Sequence, residues 1–158
     1  MPDITALLAA ATPRELAVHV CLAGDAAGEL AELQGELEQA GTLHEASLAG
    51  ARPDAELADR IADARARVQD ATVTVRLRAL GHRVFSALLT AHPPTGPGSQ
   101  LPYDPATFLP SLLAACSVEP ELTQAHVELL LDQINDGTAQ LLFDAALAVN
   151  QESSPLPF

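Results

Sequence analysis

The chain has 158 residues and a formal net charge of −13, from 21 acidic and 8 basic residues. That length gives one domain, or one domain with a smaller appendage, and the acidic balance disfavours nucleic-acid backbones and anionic membrane surfaces, which repel it. Hydrophobic residues make up 48% of the chain but aromatics only 3%, so the core must be mostly Leu, Ala and Val, and association is an expected source of added stability.

All the basic residues are Arg; the last is Arg83, and eight acidic residues follow it. A basic or mixed-charge protein partner is therefore favoured. Cys21 and Cys116 each sit among apolar residues, which reads as two buried thiols of a reducing cytoplasm rather than a disulfide framework. Ile4 to Ala11 is too short and too weakly apolar for a signal peptide, and no apolar run is long enough to span a bilayer.

Met1 to Pro13 reads as a short helix or loose arm that Asp3 or Thr5 could cap. In Arg14 to Leu22, Leu16, Val18 and Val20 alternate with Ala17 and His19, the period of a strand. A helix is expected from Ala26 to Ala40 on a Leu30, Leu33, Leu37 seam, ended by Gly41, with a polar connector from Thr42 to Pro53. Asp54 is the expected cap of a second helix, Ala55 to Asp70, which carries Leu57, Ile61, Ala64 and Val68. The pair reads as an antiparallel hairpin, its acidic first helix facing Arg60, Arg65 and Arg67 of the second.

Thr72 to Arg78 alternates Val73, Val75 and Leu77 with polar residues and is the clearest strand. It can pair with the first strand, because the hairpin returns the chain to its start. A two-stranded ribbon is marginal alone, so it calls for helices over its apolar face or another copy along its edge.

Gly81 to His92 should be a helix with Val84, Phe85, Leu88 and Leu89, ended by Pro93-Pro94 and followed by a Pro/Gly loop. Asp104-Pro105 is an N-cap and first helical position, and Pro110 is expected to divide that segment, with a separate short helix from Ser111 to Cys116. Glu119 and Glu121 flank Pro120 and read as a turn. Thr123 should cap a helix carrying Val127, Leu130, Leu131 and Ile134, with Leu122 and Val127 as a hydrophobic staple. Thr138 to Asn150 should be the last helix, Leu141, Leu142, Ala145, Ala148 and Val149 facing inward. Phe143 and Leu147 exceed what that stripe needs; they either close the core against Phe108 or Tyr103 or form a partner-contact patch.

The expected fold is mainly α with a small two-stranded β element. Residues 1–80 form a strand–helical hairpin–strand module, 81–150 a C-terminal bundle of short helices, and 151–158 a flexible tail. No phosphate-cradling glycine loop, metal-ligand spacing of His or Cys, or nucleophile elbow occurs, so no enzyme, cofactor or metal is expected.

Several segments, in order, resemble the tail assembly chaperones of long-tailed phages infecting high-GC actinobacteria. These are AVHVCLAGD (Ala17–Asp25) with the Glu/Leu helix after it, LRAL (Leu77–Leu80), the helix ending in HPP (His92–Pro94), YDPATFLPSLLAAC (Tyr103–Cys116), VEPELT (Val118–Thr123) and AALAVN (Ala145–Asn150). The match runs from about Arg14 to Asn150 and is carried by order and spacing. Two features depart from it: Phe85 stands where the family pattern has Trp, and the loop after Pro94 is short and lacks basic residues.

The resemblance implies a non-catalytic protein of the host cytoplasm, absent from the mature virion. It would bind the tape measure protein and keep it soluble and extended until tail tube subunits displace it. It implies a short and a long product of a programmed ribosomal frameshift, this chain being the short one with NQESSPLPF as its own end. The long product and further copies are then expected partners, through strand-edge and helix contacts. Phe108, Leu112, Phe143 and Leu147 are the candidate client-contact residues. The alternative is a virion structural subunit such as a head–tail connector or tail completion protein; a nucleic-acid-mimicking inhibitor is disfavoured because the acidic residues are spread along several helices.

Overall fold

The computed structural model describes residues 1–46, 55–154 and 156. The fold is mainly α with a three-stranded sheet, not the two-stranded ribbon expected from sequence. The chain divides into two compact units, residues 19–73 and residues 1–18 with 74–158. The boundaries thus fall inside two strands rather than at residue 80.

In the unit of residues 19–73, helix α2 (Gly24–Ala46) packs against helix α3 (Ala55–Asp70). Leu33, Ile61 and Ala64 form the buried centre, with Leu30 and Leu57 packed around it. Leu37, expected in the same seam, is exposed. Gly41 does not end α2; the helix runs on to Ala46, and Thr42 Oγ1 donates to the Gln39 carbonyl at 2.9 Å. Glycine stops a helix sharply when it turns into the left-handed region, and no described glycine has positive φ. The Asp54 cap and residues 47–53 of the expected connector lie outside the described residues. Of the arginines expected to pair across the hairpin, Arg67 is ion-paired with Glu29, which holds its guanidinium pKa above the ordinary value by hydrogen bonding and charge.

Strands β1 (Glu15–Cys21) and β2 (Thr72–Arg78) run through both units. In the larger unit a third strand, β3 (Ser117–Glu119), pairs antiparallel with β2, so β2 is central and its second edge is filled by the chain itself. Arg76 opposes Glu119 and Leu77 opposes Ser117, leaving Val118 as an extra residue in a bulge. Three residues before a proline give too short an alternation to read as a strand, which is why this segment reads as a turn in the sequence. Val18, Val75 and Leu77 are buried; Glu15, Arg76, Arg78 and Glu119 line the polar side, with Arg78 donating to Glu15 at 2.8 Å and Arg76 lying 3.9 Å from both Glu15 and Glu119. Such exposed cross-strand pairs each contribute roughly 0.2–1 kcal/mol.

The same unit holds helices α1 (Ile4–Ala9), α4 (His82–Ala91), α5 (Pro105–Cys116), α6 (Gln124–Gln133) and α7 (Asp136–Gln151). α5 is the hub, packed against α4, α6 and α7. Its twelve residues carry no charge, and Phe108, Leu112, Leu113 and Cys116 are wholly buried, as suits a helix surrounded by neighbours. Pro110 does not divide it. The pyrrolidine removes one backbone donor, but packing on three sides holds the helix together, and Ser111 Oγ adds a 2.9 Å bond to the Thr107 carbonyl. Phe108 is ringed by Phe85, His92 and Tyr103, with centroids at 6.0, 6.1 and 4.3 Å.

Capping follows the sequence closely. Asp3, Asp104, Thr123 and Asn135 each accept from a first-turn N–H, and Thr123 and His126 form a reciprocal capping box. At its C-terminus α7 is tied down twice: Asn150 Oδ1 accepts from Leu80 N at 2.7 Å, and Arg14 donates to the Glu152 carbonyl and carboxylate at 3.1 and 3.2 Å. Of the tail expected from 151, Gln151 is helical and Glu152 is held by Arg14. Pro155, Pro157 and Phe158 lie outside the described residues.

Candidate functional site

Two of the four client-contact candidates are core residues. Phe108 and Leu112 are completely buried and cannot meet a partner. The sequence signal was present: a twelve-residue helix without one charged residue is a central helix, not a surface one. Phe143 and Leu147 are half-buried on α7, whose buried face is Leu142, Ala145, Ala146 and Val149. Leu141, expected inside, is 51% exposed. Phe143 and Leu147, i and i+4, thus form a partly open apolar pair on one flank of the buried stripe of α7, and Leu141 lies on the other flank.

Sequence reasoning missed a second apolar surface. α1 has no buried residue, and Ile4, Leu7 and Leu8 are all more than half exposed. Six residues do not hold a helix in water without help, so α1 rests on its Asp3 cap, which accepts from Thr5 N at 3.0 Å. The i, i+3, i+4 spacing of these residues was legible in the sequence.

A groove of about 490 Å³ lies between α5 and α6. Asp104 sets the start of α5 by accepting from Ala106 N and Thr107 Oγ1, both at 3.1 Å. Thr123 sets the start of α6 by accepting from His126 N at 3.2 Å. The α5 wall is Ala106, Thr107, Pro110 and Ser111; the α6 wall is Gln124, Glu128, Leu131 and Asp132, an i, i+4, i+7, i+8 face. His92 closes one part of it. Ala106, Pro110 and Leu131 supply the apolar lining, and two carboxylates stand one helical turn apart on one wall.

The hydrogen-bonding state of this lining is lopsided. The Thr107 hydroxyl donates to Asp104, the Ser111 hydroxyl to the Thr107 carbonyl, and the Gln124 amide to Glu128 at 3.5 Å. Pro110 has no N–H to offer the Ala106 carbonyl, its ordinary i−4 acceptor. The charged groups the walls present are the carboxylates of Glu128 and Asp132. No ion pair among the described residues involves Glu128 or Asp132.

Among the described residues no three His, Cys, Asp or Glu side chains are grouped to hold a metal ion, and no helix is long and apolar enough to cross a membrane. Cys116 is buried; its Sγ lies 2.7 Å from the Leu112 carbonyl and accepts from Asn150 Nδ2 at 3.7 Å, and burial pushes its pKa up to about 11. That thiol is a packing group, poorly suited to nucleophilic work at neutral pH. Comparisons with protein-family models, curated proteins and solved structures give no match.

Proposed function

We propose that the chain is a non-catalytic assembly chaperone. It binds the tape measure protein of a long-tailed phage in the host cytoplasm and keeps it soluble and extended until tail tube subunits take its place. The observation that carries this reading is the order and spacing of the segments from Ala17 to Asn150.

Its surface chemistry supports the reading. A long helical client exposes apolar stripes that aggregate on their own. A holder for it needs apolar contacts that are many and modest, so that release is possible, and a charged exterior that keeps the complex in solution. Exposed Ile4, Leu7, Leu8 and Leu141 supply shallow apolar contacts, Phe143 and Leu147 add to those on α7, and the net charge of −13 supplies the repulsion. Further copies, and a longer product sharing the same start, would multiply the contacts along one client.

Quantitative mass spectrometry of infected cells and of purified particles tests the assignment. The chain should be abundant in the cells, recovered with the tape measure protein, and missing from the particles. A fixed copy number in purified particles would overturn the reading and make the chain a structural subunit of the connector or tail.

A further inference from the structure

We propose that the groove between α5 and α6 takes a cationic amphipathic helix. An apolar side chain of that helix seats against Pro110 and Leu131, and a Lys or Arg one turn away meets Glu128 and Asp132. For the source of the helix, a segment of the held client, the inference rests on the chaperone reading.

Three features of the groove converge on such an occupant. Its volume, about 490 Å³, is room for a few side chains. Ala106, Pro110 and Leu131 give it apolar lining, and its walls are two helix faces, the arrangement in which a third helix lays down residues at i, i+3 and i+4. Its charged groups are two carboxylates, Glu128 and Asp132, while the Thr107 and Ser111 hydroxyls and one Gln124 N–H are engaged as donors. Paired carboxylates favour a ligand that brings N–H donors and positive charge, which Lys and Arg provide.

The helices that wall the groove supply no Lys or Arg of their own. No Lys occurs anywhere, and no Arg follows Arg83, so α5, α6 and α7 contain no basic residue. Asp132 has no partner among the described residues, and Glu128 has only the Gln124 amide. An acidic helix would meet the same wall at a like-charge cost, so the groove discriminates as well as attracts.

Titration calorimetry of the full chain tests this with two synthetic helical peptides. They share an i, i+3, i+4, i+7 leucine face, one flanked by Lys and the other by Glu. The Lys peptide should bind, more weakly as salt rises, and the Glu peptide should not. In a Glu128→Lys/Asp132→Lys variant, Lys-peptide affinity should fall by about tenfold or more and Glu-peptide binding should appear. Both positions are exposed, so the variant should keep its circular dichroism spectrum. Absence of Lys-peptide binding to the wild type, or equal binding to both forms, overturns the proposal. Client co-expression separates the two readings: a double variant that holds the tape measure protein as well as the wild type defeats the groove assignment and leaves the chaperone role standing. A client held by neither form, with peptide discrimination intact, does the reverse.

Discussion

Asn150 Oδ1 accepts a 2.7 Å hydrogen bond from the backbone N–H of Leu80, seventy residues earlier in the chain. The other end of the same amide donates to the Ala146 carbonyl at 2.7 Å and to Cys116 Sγ. One side chain therefore joins the last helix to the chain leaving β2 and to the end of α5. Asn150→Ala leaves the partly buried Leu80 N–H without a partner and should cost about 1–3 kcal/mol, lowering the melting temperature by roughly 3–8 °C. Asn150→Asp keeps the acceptor for Leu80 but loses both donors and adds a negative charge at a helix C-terminus, so it should not restore wild-type stability. Urea unfolding of the three proteins checks the order.

The burial of Phe108 and Leu112 gives a direct contrast with α7. Phe108→Ala empties a site ringed by three aromatic groups and should cost about 3–5 kcal/mol. Phe143→Ala, at a half-buried position, should cost about 1–2 kcal/mol and leave the helical content unchanged. Chemical denaturation monitored at 222 nm measures both.

Cys116 makes stability depend on pH above neutrality. Its thiol ionises near the ordinary 9.0 in the unfolded chain and near about 11 when folded. Between those values the unfolded state binds fewer protons, so stability is full below pH 9 and falls as pH rises to 11, by roughly 2–3 kcal/mol. A Cys116→Ala variant should lack this component, and the difference between the two stability–pH curves isolates it. At pH 8, half-buried Cys21 should react with a maleimide well before Cys116.

Gly28 and Gly35 lie inside α2, and a Cβ at either position meets nothing within 4 Å. Gly28→Ala and Gly35→Ala should each raise stability by about 0.5–1 kcal/mol, by removing backbone freedom from the unfolded chain. A loss instead would mean that a partner's backbone needs the space, which thermal unfolding with and without the client would reveal.

Local chemistry was the legible part of the sequence. Asp104-Pro105, Thr123 and Asn135 mark helix starts because capping is decided within four residues, and alternation in Thr72–Arg78 marks a strand because one face of it is buried. Tertiary context was the illegible part. Pro110 sits inside α5 because neighbours on three sides outweigh one missing hydrogen bond. β3 exists because β2 offers an edge, not because Ser117–Glu119 has a strand pattern of its own. Phe108 and Leu112 were assigned outward for want of the charge criterion that their own helix satisfies. The groove could not be read at all, since it depends on which faces of α5 and α6 meet across a turn.

The proposed hold on a long helical client is tested by co-expression with a tape measure protein. Light scattering after size exclusion would count copies in the complex. The client should move from the insoluble to the soluble fraction, in a complex containing several copies of this chain. A client that stays insoluble in the presence of this chain would contradict the proposed role.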